Sequence, residues 1–321
     1  MGVKDTLKVR VKSMSFEAQG INSYELRSET GGALPAFTAG SHIDLHLANG
    51  LIRSYSLVNV QEERNRYVIA VNRDAASRGG SRFLHEVLRV GDTLAISAPR
   101  NNFPLAEDAP HSVLIAGGIG ITPLWCMIQR LESMGRSWHL YYCTRTRQSA
   151  AFLDEMRSLR ANIDTRLHVN FDQEPGVKML DIAGVAAAAG PDSHLYCCGP
   201  LSMLDAFEKA TAARPPHTVH AEYFKAKEAP AAVGGFTVVL AKSGKTLVVP
   251  TGRTILDTLL DAGVDAPYSC MEGVCATCET RVLEGIPDHR DLVLSKQERE
   301  LNNVMMICCS GSKSEKLVLD L

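Results

Sequence analysis

The 321-residue sequence predicts a multidomain chain: an antiparallel β-barrel, an α/β domain built on a parallel sheet, and a small α+β domain. Three observations carry this. Short period-two runs crowd the first third of the chain, strand–helix alternation fills the middle, and the last 86 residues combine a hairpin, one helix and a dense cysteine loop. The expected boundaries are 1–107, 108–226, a linker at 227–235, and 236–321.

In the first segment HIDLHL (42–47), YVIAV (67–71) and TLAISA (93–98) alternate between Gly, Asn, Asp and Pro breaks, as half-buried strands of a barrel or sandwich do. In the second, SVLIA (112–116), WHLYYC (138–143), LHVNF (167–171) and HLYCC (194–198) read as strands. TPLWCMIQRLESM and AAFLDEMRSLR read as helices, Thr122 capping the first of them with Pro123 in its opening turn. KAKEAPAAVGG (225–235) has linker composition. Beyond it, FTVVLA and KTLVVP form a hairpin across Ser-Gly, and TILDTLLDAGV is a helix with Thr254 and Asp257 as its capping pair. LVLDL closes the chain as a strand.

Composition excludes several classes. No stretch approaches the roughly 18 apolar residues of a membrane helix. The N-terminal MGVKDTLKVRVKSMSFE has no apolar core, so a cytoplasmic protein without secretory signal is expected. A net charge of −2 argues against nucleic acid as the main partner. Nine cysteines, an odd number with five of them in the last 52 residues, do not look like a disulfide framework; metal binding or redox work is the better reading.

Cys270-Met-Glu-Gly-Val-Cys275-Ala-Thr-Cys278, with a further cysteine thirty residues on, is the C-x4-C-x2-C…C spacing of a plant-type [2Fe–2S] site. Four thiolates must surround two irons, and one loop supplies three of them while Gly273 lets it bend. Structural zinc usually pairs two C-x2-C knuckles, and only one is present. Spacing leaves open whether Cys308 or Cys309 is the fourth ligand. MMICCSG reads as a strand, so the two would point to opposite faces.

Gly117-Gly118-Ile119-Gly120 lies between a strand and a helix, where glycines let a dinucleotide pyrophosphate approach backbone N–H groups. A tight turn with no ligand explains it as well, because it is not G-x-G-x-x-G. Thr144 and Arg145, at the end of the second strand, fall where an adenosine ribose would sit, with no acidic residue directly after them. In the barrel, Arg53-Ser54-Tyr55-Ser56 places a cation and a ring on one strand face and two hydroxyls on the other, parts that a flavin needs. Arg78-Gly79-Gly80-Ser81 offers a phosphate-sized nest of N–H groups.

Taken in order, RSYSL, ERNRYVIAV, GGS, APRNNFPL, AGGIGITPL, CCGP, HAEYF, YSCMEGVCATC, DHRD and the final LVLDL resemble the phthalate dioxygenase reductase family over nearly the whole chain. These are FMN-containing reductase components of Rieske-type oxygenase systems, vanillate demethylase and phenoxybenzoate dioxygenase reductases among them. The resemblance implies a flavin barrel, a nicotinamide domain and a β-grasp ferredoxin domain. It implies FMN binding by Arg53, Ser54, Tyr55, Ser56, Val71, Gly79, Gly80, Ser81, Thr122 and Phe224, with Ser56 and Thr122 flanking hydride transfer as the catalytic residues. Gly117, Gly118, Gly120, Thr144, Arg145, Cys198, Gly199 and Pro200 would line the NAD site. The family pattern M-x-C-x-S makes Cys308 the ligand beside Cys270, Cys275 and Cys278, leaving Cys309 to pack. Thr146 stands where the phthalate enzyme has an acidic residue; NADH is expected and NADPH stays open.

Nicotinamide yields two electrons as hydride and the cluster takes one, so a flavin must stand between them. His220 is then structural. The last domain, with 9 basic and 12 acidic residues, suits transient docking to a Rieske-type oxygenase. A stand-alone NAD(P)H reductase with small acceptors and a redox-sensing module without flavin are the alternatives.

Overall fold

A computed structural model describes residues 6–75, 77, 79–159, 163–231 and 233–321. The described chain forms two compact units, one ending at Glu222 and the other spanning Tyr223–Leu321.

The first unit opens with β1 (Leu7–Ala18), β2 (Ile21–Ser28), β3 (His42–His46), β4 (Ile52–Ser56), β5 (Tyr67–Asn72), the short α1 (Gly80–Glu86) and β6 (Thr93–Ile96). The strands make an antiparallel sheet in the order β4-β3-β6-β1-β2-β5. Its edges curl together just past β4, where Leu57 bridges Ile69 and the Val58 N–H reaches the Val68 carbonyl at 2.9 Å. The expected barrel is thus a partly open one. Alternation works as it should: Tyr24, Leu26, Ile43, Leu45, Tyr67 and Ile69 are buried inside it.

The same unit continues with β7 (Ser112–Gly117), α2 (Ile121–Ser133), β8 (Trp138–Thr144), α3 (Leu153–Arg157), α4 (Ile163–Arg166), β9 (Leu167–Phe171), α5 (Ile182–Ala188), β10 (His194–Cys198), α6 (Leu201–Thr211) and β11 (Val219–Glu222). These strands form a parallel sheet ordered β11-β10-β7-β8-β9. From β7 the chain runs outward through β8 and β9, then returns to the other side of β7 as β10. The carboxyl ends of β7 and β10 therefore flank a topological switch point, the place where open α/β sheets bind ligands.

Barrel and parallel sheet share one hydrophobic core, in which Leu57, Val58 and Val71 meet Ile121, Leu124 and Ile128 of α2. Arg130 of α2 pairs with both Glu107 and Glu62 at 2.7 Å. No break between compact units falls at 107/108.

Thr122 is not the cap of α2. A 3-10 turn at Gly118–Gly120 runs straight into the helix with Gly120 at its N-cap, and the Thr122 hydroxyl donates to the Ile119 carbonyl at 2.9 Å. Among the described residues of AAFLDEMRSLR only α3 is helical, because Phe152 is left-handed (φ 59°) and starts the helix late.

The second unit holds β12 (Phe236–Leu240), β13 (Thr246–Val249), α7 (Ile255–Asp261), β14 (Glu279–Glu284), β15 (Pro287–Asp288), α8 (Lys296–Leu301), β16 (Val304–Met306), β17 (Gly311–Ser312) and β18 (Lys316–Leu319). Five of the strands form a mixed sheet ordered β13-β12-β18-β14-β16. The hairpin forms as expected, and Thr254 with Asp257 makes the capping box of α7. Leu256 and Leu259 go into the core, and Leu260 packs against its edge. MMICCSG is not a continuous strand. β16 ends at Met306, and the Cys309 and Ser310 N–H groups turn back to the Met306 carbonyl, so both Cys308 and Cys309 are buried.

Among the described residues no helix is long and apolar enough to cross a membrane.

Candidate cofactor sites

In the second unit the loop after α7 carries Cys270, Cys275 and Cys278, and the turn after β16 brings Cys308 to them. Cys270 interacts with Cys275 and Cys308, and Cys308 also with Cys278 and Cys309. These interactions hold the Cys270 thiol well below its ordinary range and Cys275 and Cys308 above it. Further groups point at the sulfurs: the Glu272 N–H meets Cys270 Sγ at 3.3 Å, and Thr277 Oγ1 lies 3.2 Å from Cys275 Sγ. Met271 and Ala276 are left-handed non-glycine residues (φ 56° and 61°) on either side of Gly273 (φ 68°). A side chain at Gly273 would overlap Cys309 Sγ and sit 3.0 Å from Asp291 Cα. That space is filled because the DHRD segment folds over the loop, the Leu292 N–H bonding the Gly273 carbonyl at 2.9 Å. Among the described residues no three His, Cys, Asp or Glu side chains are placed to hold one metal ion. The thiols instead follow one another, 275–270–308–278, with Cys309 beside Cys308, and such a donor set fits a two-iron cluster.

In the first unit, two motifs separated by more than twenty residues come together. Gly80 lies under Arg53, where a Cβ would stand 2.7 Å from Arg53 Cγ and 2.9 Å from its Nε. Gly79 is left-handed (φ 98°), and Ser81 Oγ accepts the Asp74 N–H at 3.2 Å. Arg78 lies outside the described residues. Burial pushes the Tyr55 hydroxyl up although the Arg53 charge pulls it down. Ser54 donates to Asp44 Oδ1 at 2.7 Å, and Asp44 is paired with Arg100 at 2.6 Å. Ser56 is buried opposite His42. The bare cradle around Gly79 and Gly80 beside a cation fits a phosphate-bearing flavin. Val71 is buried on β5, and the Gly118–Gly120 turn packs against that strand, close to the Thr122 turn of α2.

At the switch point AGGIG meets CCGP. A Cβ on Gly117 would lie 2.5 Å from Pro200 Cδ and 3.1 Å from Gly199 Cα, and one on Gly120 would overlap the Cys198 carbonyl oxygen. Gly118 (φ 53°) faces open space. Cys198 is fully buried and its thiol is pushed far up by burial and by Glu222. Next to this, a cleft of about 360 Å³ is lined by Cys143, Asp172, Leu180, Pro200, Ser202 and Met203 among others. Thr144 is buried, bonded to the Thr146 carbonyl at 3.0 Å, while Arg145 is exposed. Phe224 belongs to the second unit, where it is 38% exposed.

Two residues escaped sequence reasoning. Asp172 follows β9, which pairs Phe171 with Thr144, and its N–H bonds the Thr144 carbonyl at 2.9 Å. It brings a carboxylate beside Thr144 from the neighbouring strand, its Oδ1 accepting from Asn170 Nδ2 at 2.6 Å. Glu222 ends β11 in register with Cys198; burial pushes its carboxyl up to about 8, and its buried Oε2 has no hydrogen-bond partner. HAEYF contained it, but only strand pairing reveals its neighbour. His220 stacks on Tyr196, bonds His194 at 2.9 Å, and burial pushes it down to about 4.

The family model for the 2Fe-2S iron-sulfur cluster binding domain matches residues 238–312, and that for the oxidoreductase NAD-binding domain matches 114–209. Tetrachlorobenzoquinone reductase of Sphingobium chlorophenolicum is 54% identical over 98% of both chains. Phenoxybenzoate dioxygenase subunit beta of Ectopseudomonas oleovorans is 52% identical, covering 98% of this chain and 97% of its own. The solved phthalate dioxygenase reductase, described as a modular structure for electron transfer from pyridine nucleotides to [2Fe–2S], superposes with a TM-score of 0.76 at 41% identity over 98% of both chains. The chain belongs to the phthalate dioxygenase reductase family. Like other members, this reductase is an electron-transfer oxidoreductase with NAD-binding and [2Fe–2S] modules.

Proposed function

We propose that the protein is the reductase component of a two-component Rieske-type oxygenase or demethylase acting on aromatic compounds, carrying electrons from NADH by way of FMN and [2Fe–2S] to its oxygenase. One observation supports the reading: motifs far apart in the sequence meet in the fold, RSYS with GGS, AGGIG with CCGP, and Cys308 with the cysteine loop.

FMN, when bound, supplies the conversion between hydride and single-electron chemistry. The chain's residues do the rest. Arg53, Gly79, Gly80 and Ser81 would hold the flavin phosphate, and Ser54, Tyr55, Ser56 and Val71 would line its ring; Phe224, expected there from the resemblance, lies in the other compact unit. The buried Thr122 fixes the turn from which nicotinamide is presented. Gly118 would leave its backbone open to the pyrophosphate and Pro200 lines the cleft, while Gly117, Gly120, Cys198 and Gly199 pack together beside it. Thr144 and Arg145 flank the ribose, and Asp172 accepts from its 2′-hydroxyl. A 2′-phosphate would meet that carboxylate, which favours NADH over NADPH. Cys270, Cys275, Cys278 and Cys308 hold the cluster, and the oxygenase docks transiently on the mildly acidic second unit of a cytoplasmic protein.

A second reading, a reductase that delivers electrons directly to a small quinone, draws on the 54% identity to a protein named for that reaction. Anaerobic titration with NADH and with NADPH, followed through the flavin and iron–sulfur bands, tests the core of the proposal; absence of either chromophore overturns it. Turnover with a Rieske oxygenase should then exceed turnover with a halogenated quinone at equal concentration. The reverse order selects the second reading.

A further inference from the structure

The stretch after Lys227 has linker composition, yet it is fastened at four points within the second unit. Arg290 Nη1 donates to Glu228 Oε2 at 2.7 Å, and the same guanidinium bonds Asp288 Oδ2 at 2.8 and 3.0 Å. The Ala231 N–H donates to the Cys309 carbonyl at 2.8 Å. Gly311 is bare where Ala231 passes, since a Cβ there would stand 2.7 Å from Ala231 Cβ. The Gly235 N–H bonds the Val249 carbonyl at 2.8 Å, and a side chain at Gly234 would overlap the Pro250–Thr251 backbone.

The first three points converge on one target. Cys309 takes the backbone bond and Gly311 the packing contact. The Arg290 N–H donates to Ser310 Oγ at 3.2 Å, and Asp288 pairs with Gly311 across β15 and β17. The segment after Cys308 is thus held jointly by the DHRD turn and the incoming chain, with the Glu228–Arg290 pair joining the two. An exposed ion pair alone holds little. Here it acts together with a backbone hydrogen bond and a contact that admits no further methyl group.

We propose that residues 228–231 form a strap that positions the segment carrying the fourth cluster ligand, with Glu228, Ala231 and Arg290 as positioning residues. This rests on the reading that Cys308 is that ligand. The free connection between the two units is then shorter than composition suggests, and the strap ties it to the cluster surroundings.

The test uses the full-length holoprotein. Gly311→Ala drives a methyl group into Ala231 without changing charge, and position 311 does not have a left-handed backbone. Tryptic cleavage after Lys225 and Lys227 should quicken several-fold, and the EPR g-anisotropy of the reduced cluster should change at unaltered iron content. The double variant Gly311→Ala/Ala231→Gly should restore both. Glu228→Gln should speed cleavage less. Unchanged cleavage and EPR in Gly311→Ala would overturn the strap, as would a double variant that stays abnormal. If the wild type carries no iron–sulfur cluster, the functional reading fails separately, and the cleavage rates still decide whether the strap is held.

Discussion

At the 117–120 turn, two of the three glycines are required by the protein itself. Pro200 and Gly199 close over Gly117, and the Cys198 carbonyl fills the place of a Gly120 side chain. The turn would need those glycines with no ligand at all, and only Gly118 is left for one. At the 270–278 loop the balance reverses. Two non-glycine residues, Met271 and Ala276, are left-handed, and the thiols interact with one another, Cys308 with Cys270, Cys278 and Cys309. Such strain persists only where the surroundings fix it, and a cluster would fix it. A glycine motif therefore reports packing before ligand, whereas a strained cysteine loop reports its ligand first.

The largest effect expected from this contrast is in the second unit. Cys308→Ser should abolish the iron–sulfur absorption and destabilise the unit by several kcal/mol, on the order of a structural metal site. Cys309→Ser should retain the colour; if Cys309→Ser is the variant that bleaches, the ligand choice is reversed. In the first unit, Gly120→Ala should cost about 1–3 kcal/mol by overpacking, read as a lowered Tm. Gly118→Ala should cost only about 1 kcal/mol of backbone strain and raise KM for NADH instead. Equal Tm losses would remove the distinction drawn between the two glycines. Asp172→Ser should shift the NADH/NADPH ratio of kcat/KM toward NADPH by about tenfold, about 1.4 kcal/mol.

A further effect, read through pH, concerns Glu222. Its carboxyl, at about 8 in the fold against 4.5 ordinarily, keeps its proton in the native state where the unfolded chain has lost it. The native state binds more protons between these values, so stability falls as pH rises from 4.5 to 8 and levels off above. Melting temperatures at pH 5.5, 7 and 8.5 should show this slope in the wild type and lose it in Glu222→Gln.

The cysteine spacing was legible because the chemistry demands a fixed count of thiolates on a short loop, and the strands because alternation and burial are the same fact. Capping was legible at Thr254, where side chain and backbone bond locally, but not at Thr122, where a 3-10 turn supplies the cap through its backbone. Asp172 and Glu222 were invisible for another reason: their partners Thr144 and Cys198 are neighbours only across parallel strands, and strand order is not written in spacing. Composition marked 225–235 as a tether because alanine, proline and glycine say nothing of the Cys309 carbonyl that binds Ala231.

The continuous core of the first unit bears on how this protein can be cut and recombined. Severed at 107, the chain would expose Leu57, Val58 and Val71 on one fragment and the buried face of α2 on the other, so neither half would be a cassette. Severed after Glu222, it would part between compact units. The residues expected at the flavin and nicotinamide sites, Phe224 apart, thus fall within one compact unit and would be inherited together, while the cysteine cluster lies in the other.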